Sequence, residues 1–155
     1  MINNCLFAIT RFDHGLKVTK YSYLDSQEKM TKVELDPLLK RIHEFSVCTF
    51  KNRYVMISGG KNQNGSSRKN SIIYDTERNT WLTESRSKPR LCEARYGHAS
   101  CTTSKTVFIF GGRDGYTDRY LSSIEKLSLR DGPVNLWITR VRKWRKFCIL
   151  SVSGR

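Results

Sequence analysis

Four landmarks recur in the same order along this chain at a spacing near fifty residues. A repeat of that length restricts the fold more than any single motif does. The first copy takes in residues 41–46, then 54–60, 71–75 and 79–81; the second takes in residues 95–100, then 107–112, 123–127 and 135–137. His98 follows His43 by 55 residues, Gly111 follows Gly59 by 52, and Trp137 follows Trp81 by 56. Chance can produce one such coincidence but is a poor source of an ordered set.

Each copy reads as four short strands. Residues 43–50 and 98–103 mix polar and apolar side chains ahead of a turn. Residues 54–58 and 106–110 are apolar runs that stop at Gly59-Gly60 and Gly111-Gly112. Short runs rich in β-branched and aromatic residues, bounded by Gly, Asn and Asp, are strand signals. Residues 70–75 and 121–129 supply the third strands, and residues 80–84 and 135–139 the fourth. Polar, glycine-containing loops, 61–69 and 113–119, separate the second strand from the third. The N-terminal residues give a weaker third copy: 5–9, 18–24 and 30–35 stand for its second, third and fourth strands. Tyr23 and Met30 are seven apart, as are Tyr74 and Trp81, but no Gly-Gly follows residue 9 and Met30 replaces the tryptophan.

These landmarks resemble the kelch repeat, a strand ending in Gly-Gly followed by a Tyr or its equivalent and then a Trp. The resemblance covers residues 41–137. It implies an all-β chain of antiparallel four-stranded β-propeller blades. The expected division is a degenerate partial blade at 1–40, blades at 41–92 and 93–139, and a basic tail at 140–155. His43, Gly59, Gly60, Tyr74, Trp81, His98, Gly111, Gly112 and Trp137 carry the motif. The resemblance places Tyr74, Trp81 and Trp137 between adjacent blades. The second copy departs from the first where Ile124 and Glu125 occupy the region of Tyr74 and Asp75. A propeller has about 4–8 blades, and a blade depends on its neighbours to bury its faces. Two blades and a part make an incomplete propeller, a piece that another chain or a second copy would complete.

The same resemblance implies a scaffold or adaptor that binds protein or peptide through its loops, without catalysis. Arg68, Lys69, Arg113, Asp114, Tyr116, Asp118 and Arg119 are the candidate contacts, combining charge with an aromatic ring. The chemistry-bearing alternatives fail on spacing. Gly60 and Gly65 have phosphate-loop spacing, but Ser66 and Ser67 stand where the lysine is needed. Cys92, His98 and Cys101 match no common zinc pattern. Ser100, His98 and Asp114 lack a fixed nucleophile–base geometry. No cofactor or metal is expected.

Composition bounds the rest. No apolar run approaches the roughly 18 residues of a membrane-spanning helix, and residues 5–9 lack the flanks of a signal peptide. Cys5, Cys48, Cys92, Cys101 and Cys148 are odd in number and contain no Cys-x-x-Cys pair, which favours a reducing, cytoplasmic setting. The net charge of +14 is concentrated in part after Asp131, where Arg140, Arg142, Lys143, Arg145, Lys146 and Arg155 meet no acidic residue. Trp137, Val141, Trp144 and Cys148 fall at helical spacing among them. The alternative function is therefore a tail that binds an anionic membrane surface or nucleic acid.

Overall fold

The computed structural model describes residues 5–12, 15–24, 27–34, 39, 41–82, 89–103, 106–129 and 136–141. Among the described residues the chain forms three antiparallel sheets in sequence order, which do not close into a ring. The first is a meander of β1 (Cys5–Phe12), β2 (Gly15–Leu24) and β3 (Gln27–Val33). The second holds β4 (Ser46–Phe50), β5 (Tyr54–Ser58), β6 (Arg68–Asp75) and the short β7 (Thr80–Trp81), and β8 (Arg90–Arg95) also pairs with β6. The third holds β9 (Ala99–Thr102), β10 (Thr106–Phe110), β11 (Ile124–Leu129) and β12 (Leu136–Val141).

The sheets stack face to face, and their alternating side chains fill the two seams. Phe7, Ile9, Val18 and Val33 of the first sheet meet Val55, Tyr74 and Trp81 of the second. Tyr74 sits at the centre of this seam. Its ring lies 5.8 Å from Phe7 edge-on and 4.9 Å from Trp81, whose indole N–H donates to the Glu34 carbonyl at 2.6 Å. On the other face of the second sheet, Cys48, Phe50, Met56 and Ile73 pack with Val107, Ile109 and Leu127 of the third. β5 is covered on both sides, which is why residues 55–58 are all buried and read as a continuous apolar run.

Several boundaries and one register differ from the sequence reading. The first strands start at Ser46 and Ala99, because His43 and Tyr96 instead bridge to Lys61 and Arg113 beyond the Gly-Gly turns. The third strands start at Arg68 and Ile124. β8 has no counterpart in the sequence reading, since its single buried aliphatic residue, Leu91, gives no alternation to detect. Residues 142–155, most of the basic tail, lie outside the described residues, as do 83–88.

The register is fixed by the strands that end at Gly-Gly. Ser58 pairs with Ser46, and Phe110 pairs with Ala99. Position 98 therefore corresponds to Phe45, and His43 to Tyr96, so the two histidines matched by residue type are not equivalent. The third and fourth strands shift likewise. Val55 pairs with Tyr74 and Val107 with Leu127, so Leu127 takes the place of Tyr74 and Glu125 that of Ile72. Tyr74 pairs with Trp81, whereas Leu127 pairs with Ile138 and Trp137 pairs with Ser128. Trp137 is thus one position out of register with Trp81.

Candidate partner-binding face

Both Gly-Gly turns adopt one backbone shape, and that shape sets up one face of the molecule. Gly59 and Gly60 have φ of 59° and 90°; Gly111 and Gly112 have 58° and 89°. Left-handed φ values of this kind strain any residue with a Cβ. A Cβ on Gly60 would stand 2.8 Å from the His43 carbonyl, and one on Gly112 would stand 2.7 Å from the Tyr96 carbonyl. The linker before each blade is thereby held against the turn, and the residue after each Gly-Gly is a cation, Lys61 or Arg113, projected into the same neighbourhood.

These cations organise the face. The Lys61 ammonium lies 4.3 Å above the Tyr96 ring and 2.6 Å from the Glu44 carboxylate. The Arg113 guanidinium stacks 4.8 Å above the Tyr120 ring and pairs with Asp118 at 2.5 Å. Tyr96 donates its hydroxyl to the other Asp118 oxygen at 2.7 Å, and that bond raises the pKa of the phenol. Asp114 accepts from the Tyr116 N–H at 3.0 Å and from the Thr117 hydroxyl at 2.9 Å, which holds its carboxyl below the usual carboxylate range. The two loops touch where the Gly115 N–H donates to the Ser67 hydroxyl at 3.0 Å. Above this polar frame stand Tyr116 and Tyr120, 96% and 81% exposed. A rigid, charge-bordered base carrying two exposed aromatic rings is a surface suited to protein recognition.

Of the residues singled out from sequence, Arg113, Asp114, Tyr116, Asp118 and Arg119 share this loop. Arg68 and Lys69 do not belong with them. They are the first residues of β6, and Arg68 stands opposite Arg95 of β8. Their polar character suggested a loop, but the strand runs out through them because β8 supplies a backbone to pair with. Sequence reasoning missed Glu44, Lys61, Tyr96 and Tyr120. One signal was available: a cation directly follows Gly-Gly in both copies.

The buried histidine is otherwise engaged. The buried His98 ring bonds through Nε2 to the Ser58 hydroxyl at 3.1 Å, while Ser100 bonds Ser46 at 2.6 Å. Ser100, His98 and Asp114 therefore do not form a relay. Burial, assisted by the nearby Arg95 charge, pushes the His98 pKa down to about 4. Among the described residues no three His, Cys, Asp or Glu side chains cluster as metal ligands would. No helix among those residues is long and apolar enough to cross a membrane.

The Kelch motif family profile matches residues 94–137. Kelch domain-containing protein 3 of Bos taurus is 30% identical over 102 residues, which are 64% of this chain and 26% of that protein. The Homo sapiens protein of the same name is 28% identical over a stretch of the same extent. The matched stretch thus spans about a quarter of the length of these relatives. The solved structure of YjhT superposes with a TM-score of 0.64 at 12% identity, taking in 83% of this chain and 46% of that one.

Proposed function

We propose that this kelch-repeat chain is a non-enzymatic interaction module that binds a protein or peptide on the face formed by the 59–67 and 111–123 loops. The family at large consists of protein-interaction modules, and the named relatives carry kelch domains. The observation that carries the reading is the joining of the two loops into one surface. Two exposed tyrosines stand over a base of internally paired charges, Lys61 with Glu44 and Arg113 with Asp118. Pairing matters here. A side chain already held by its neighbours loses little freedom on binding, so more of the contact energy appears as affinity. Cys48, Cys92 and Cys101 form no disulfide among the described residues, which suits a reducing compartment, and the reading puts the module in the cytoplasm.

The test is selection of a random peptide library on the full chain, followed by titration of the recovered peptides against variants. Tyr116→Ser with Tyr120→Ser is expected to weaken binding at least about tenfold, the scale of one aromatic anchor. Lys20→Ala, on β2 of the first sheet, where the ammonium donates to Asn79 at the far end of the second, is expected to leave it unchanged. Peptides that bind the double tyrosine variant as tightly as the parent would sink the assignment.

A further inference from the structure

The two turns that carry the loop face are braced by one short segment, Tyr96-Gly97-His98. The Tyr96 ring lies under the Lys61 ammonium and its hydroxyl bonds Asp118, so this residue touches both loops. The Gly97 N–H donates to the Glu44 carbonyl at 2.8 Å. His98 stands behind them. A Cβ on Gly59 would lie 2.5 Å from the His98 ring, and a Cβ on Gly112 would lie 2.8 Å from the His98 Cβ. The residue is therefore wedged between the Gly-Gly turn of the second sheet and that of the third.

The wedge fits as a neutral ring. Its Nε2 bonds the Ser58 hydroxyl at 3.1 Å, and its buried Nδ1 has no hydrogen-bond partner. The charge that bears on it is positive. It belongs to Arg95 of β8, whose guanidinium is committed to Glu125 of β11 at 2.7 Å and to Glu93 at 3.3 Å. Ser58, Gly59 and Gly112, which line the ring and its backbone, bring no titratable side chain. A proton added there would create a buried charge with a like charge beside it and no acceptor at Nδ1. Burial and Arg95 thus keep the seated ring neutral until the pH approaches about 4.

We infer that Tyr96-Gly97-His98 is the pin that makes the two loops one binding surface, and that this surface exists only while His98 is seated. The inference rests on the loop face being the binding site. His98 is a positioning residue, acting through the two turns on Lys61 and Arg113. Protonation drives its ring out of the seam, and both turns lose their brace together. The Gly115–Ser67 bond also joins the loops, at their tips, but it does not involve the ring.

Hydrogen exchange of the full chain, corrected for the intrinsic effect of pH, reads the pin without any ligand. The N–H groups to follow are those of Lys61, Gly97 and Arg113, which bond to the carbonyls of His43, Glu44 and Tyr96. From pH 7 to pH 4.5 their protection is expected to fall at least about tenfold, because the released ring takes up a proton that the seated ring refuses. The N–H groups of β5 and β10 are expected to lose less. Loop protection that survives acid would overturn the pin, and so would an equal loss in those strands, which reports global unfolding. His98→Gln can keep a bond to Ser58 and does not titrate, so its loop protection is expected to be the same at both pH values. Acid sensitivity retained in that variant would overturn the assignment to His98. Where the variant does not fold, the contrast between loops and strands in the parent decides.

Peptides selected from the library, restricted to those without acidic residues or histidine, then test the site apart from the pin. The parent is expected to bind them at least about tenfold more weakly at pH 4.5 than at pH 7, and His98→Gln to bind them alike at both. Loop protection lost in acid with peptide binding undiminished would sink the loop face as the binding site.

Discussion

The two blades fill the same internal slot with opposite chemistry. In the first, Ile42 and Ile72 pack with Leu39 and Ile57 in an apolar cluster. In the second, the equivalent positions are Arg95 and Glu125, both fully buried, joined at 2.7 Å. The ion pair does more than occupy volume. Arg95 also donates to the Gly111 carbonyl at 2.7 Å and to the Ser123 hydroxyl at 2.9 Å, and Glu125 accepts from the N–H groups of Cys92 and Glu93. Those two N–H groups belong to β8. The pair therefore ties the linker strand of one blade to the third strand of the next, which two isoleucines could not do. One fold position serves as filler in one repeat and as a fastening in the other.

The largest expected effect comes from breaking that fastening on one side. Glu125→Leu leaves the buried Arg95 charge with only the longer contact to the part-exposed Glu93 carboxylate, at 3.3 Å, and should cost up to about 3–5 kcal/mol. Replacing both, Arg95→Ile with Glu125→Ile, imitates the first blade. It removes the stranded charge but still orphans the Cys92 and Glu93 N–H groups, at about 1–3 kcal/mol each. The double variant should lie between the parent and the worse single variant. A urea double-mutant cycle should give a coupling of about 1–3 kcal/mol. Additive losses would mean the two side chains act separately.

His98 sharpens the comparison next. Its counterpart in the first blade is Phe45, so one repeat places an ionisable ring where the other places an apolar one. Folding holds the imidazole pKa near 4 against an ordinary value of 6.5. Between these values the unfolded chain binds a proton that the folded chain refuses. The contribution of His98 is therefore complete above pH 6.5 and is lost as the pH falls toward 4, amounting to about 3 kcal/mol. In His98→Phe that part of the pH dependence should vanish, although the Ser58 hydroxyl loses its partner. Urea midpoints at pH 7 and pH 4.5 compare the two proteins. An unchanged difference between those midpoints in the variant would assign the effect to other groups.

These contrasts also explain what could be read from the chain and what could not. The period, the Gly-Gly turns and the apolar second strands are local features, and the β-sheet architecture followed from them. Register is not local. It depends on which backbone a strand meets, and a shift of one residue exchanges the faces of a sheet. Matching His43 to His98 and Trp81 to Trp137 by residue type therefore misplaced both pairs. The second blade's departure at Ile124 and Glu125 read as a weaker match to the motif. Glu125 in fact answers Arg95, thirty residues earlier, and nothing in the local pattern of either announces the other. β8 stayed hidden because Leu91 is its one buried aliphatic residue and the buried Arg95 finds Glu125 on another sheet.

A smaller effect separates the two turns. Gly59→Ala and Gly111→Ala impose the same left-handed backbone strain, since their φ values agree within a degree. Only Gly59 has the Arg95 carbonyl and His98 within 2.5 Å of the added carbon. The alanine at 59 should therefore cost about 1–3 kcal/mol more than the alanine at 111, the typical scale of overpacking. Thermal melts of the two variants, each against the parent, give the difference. Equal losses would mean that the linker shifts freely around Gly59.

The cysteines give the smallest change and the most direct view of the seam over Cys48. Cys48 and Cys101 occupy the same position in successive blades, opposite Met56 and Phe108. Burial pushes the Cys48 thiol up to about 11, and the thiolate is the reactive form. Cys101 is exposed. A maleimide at pH 7 should modify Cys101 well before Cys48, with the sites assigned by peptide mass spectrometry. Equal rates for the two thiols would mean that the seam over Cys48 opens to the reagent.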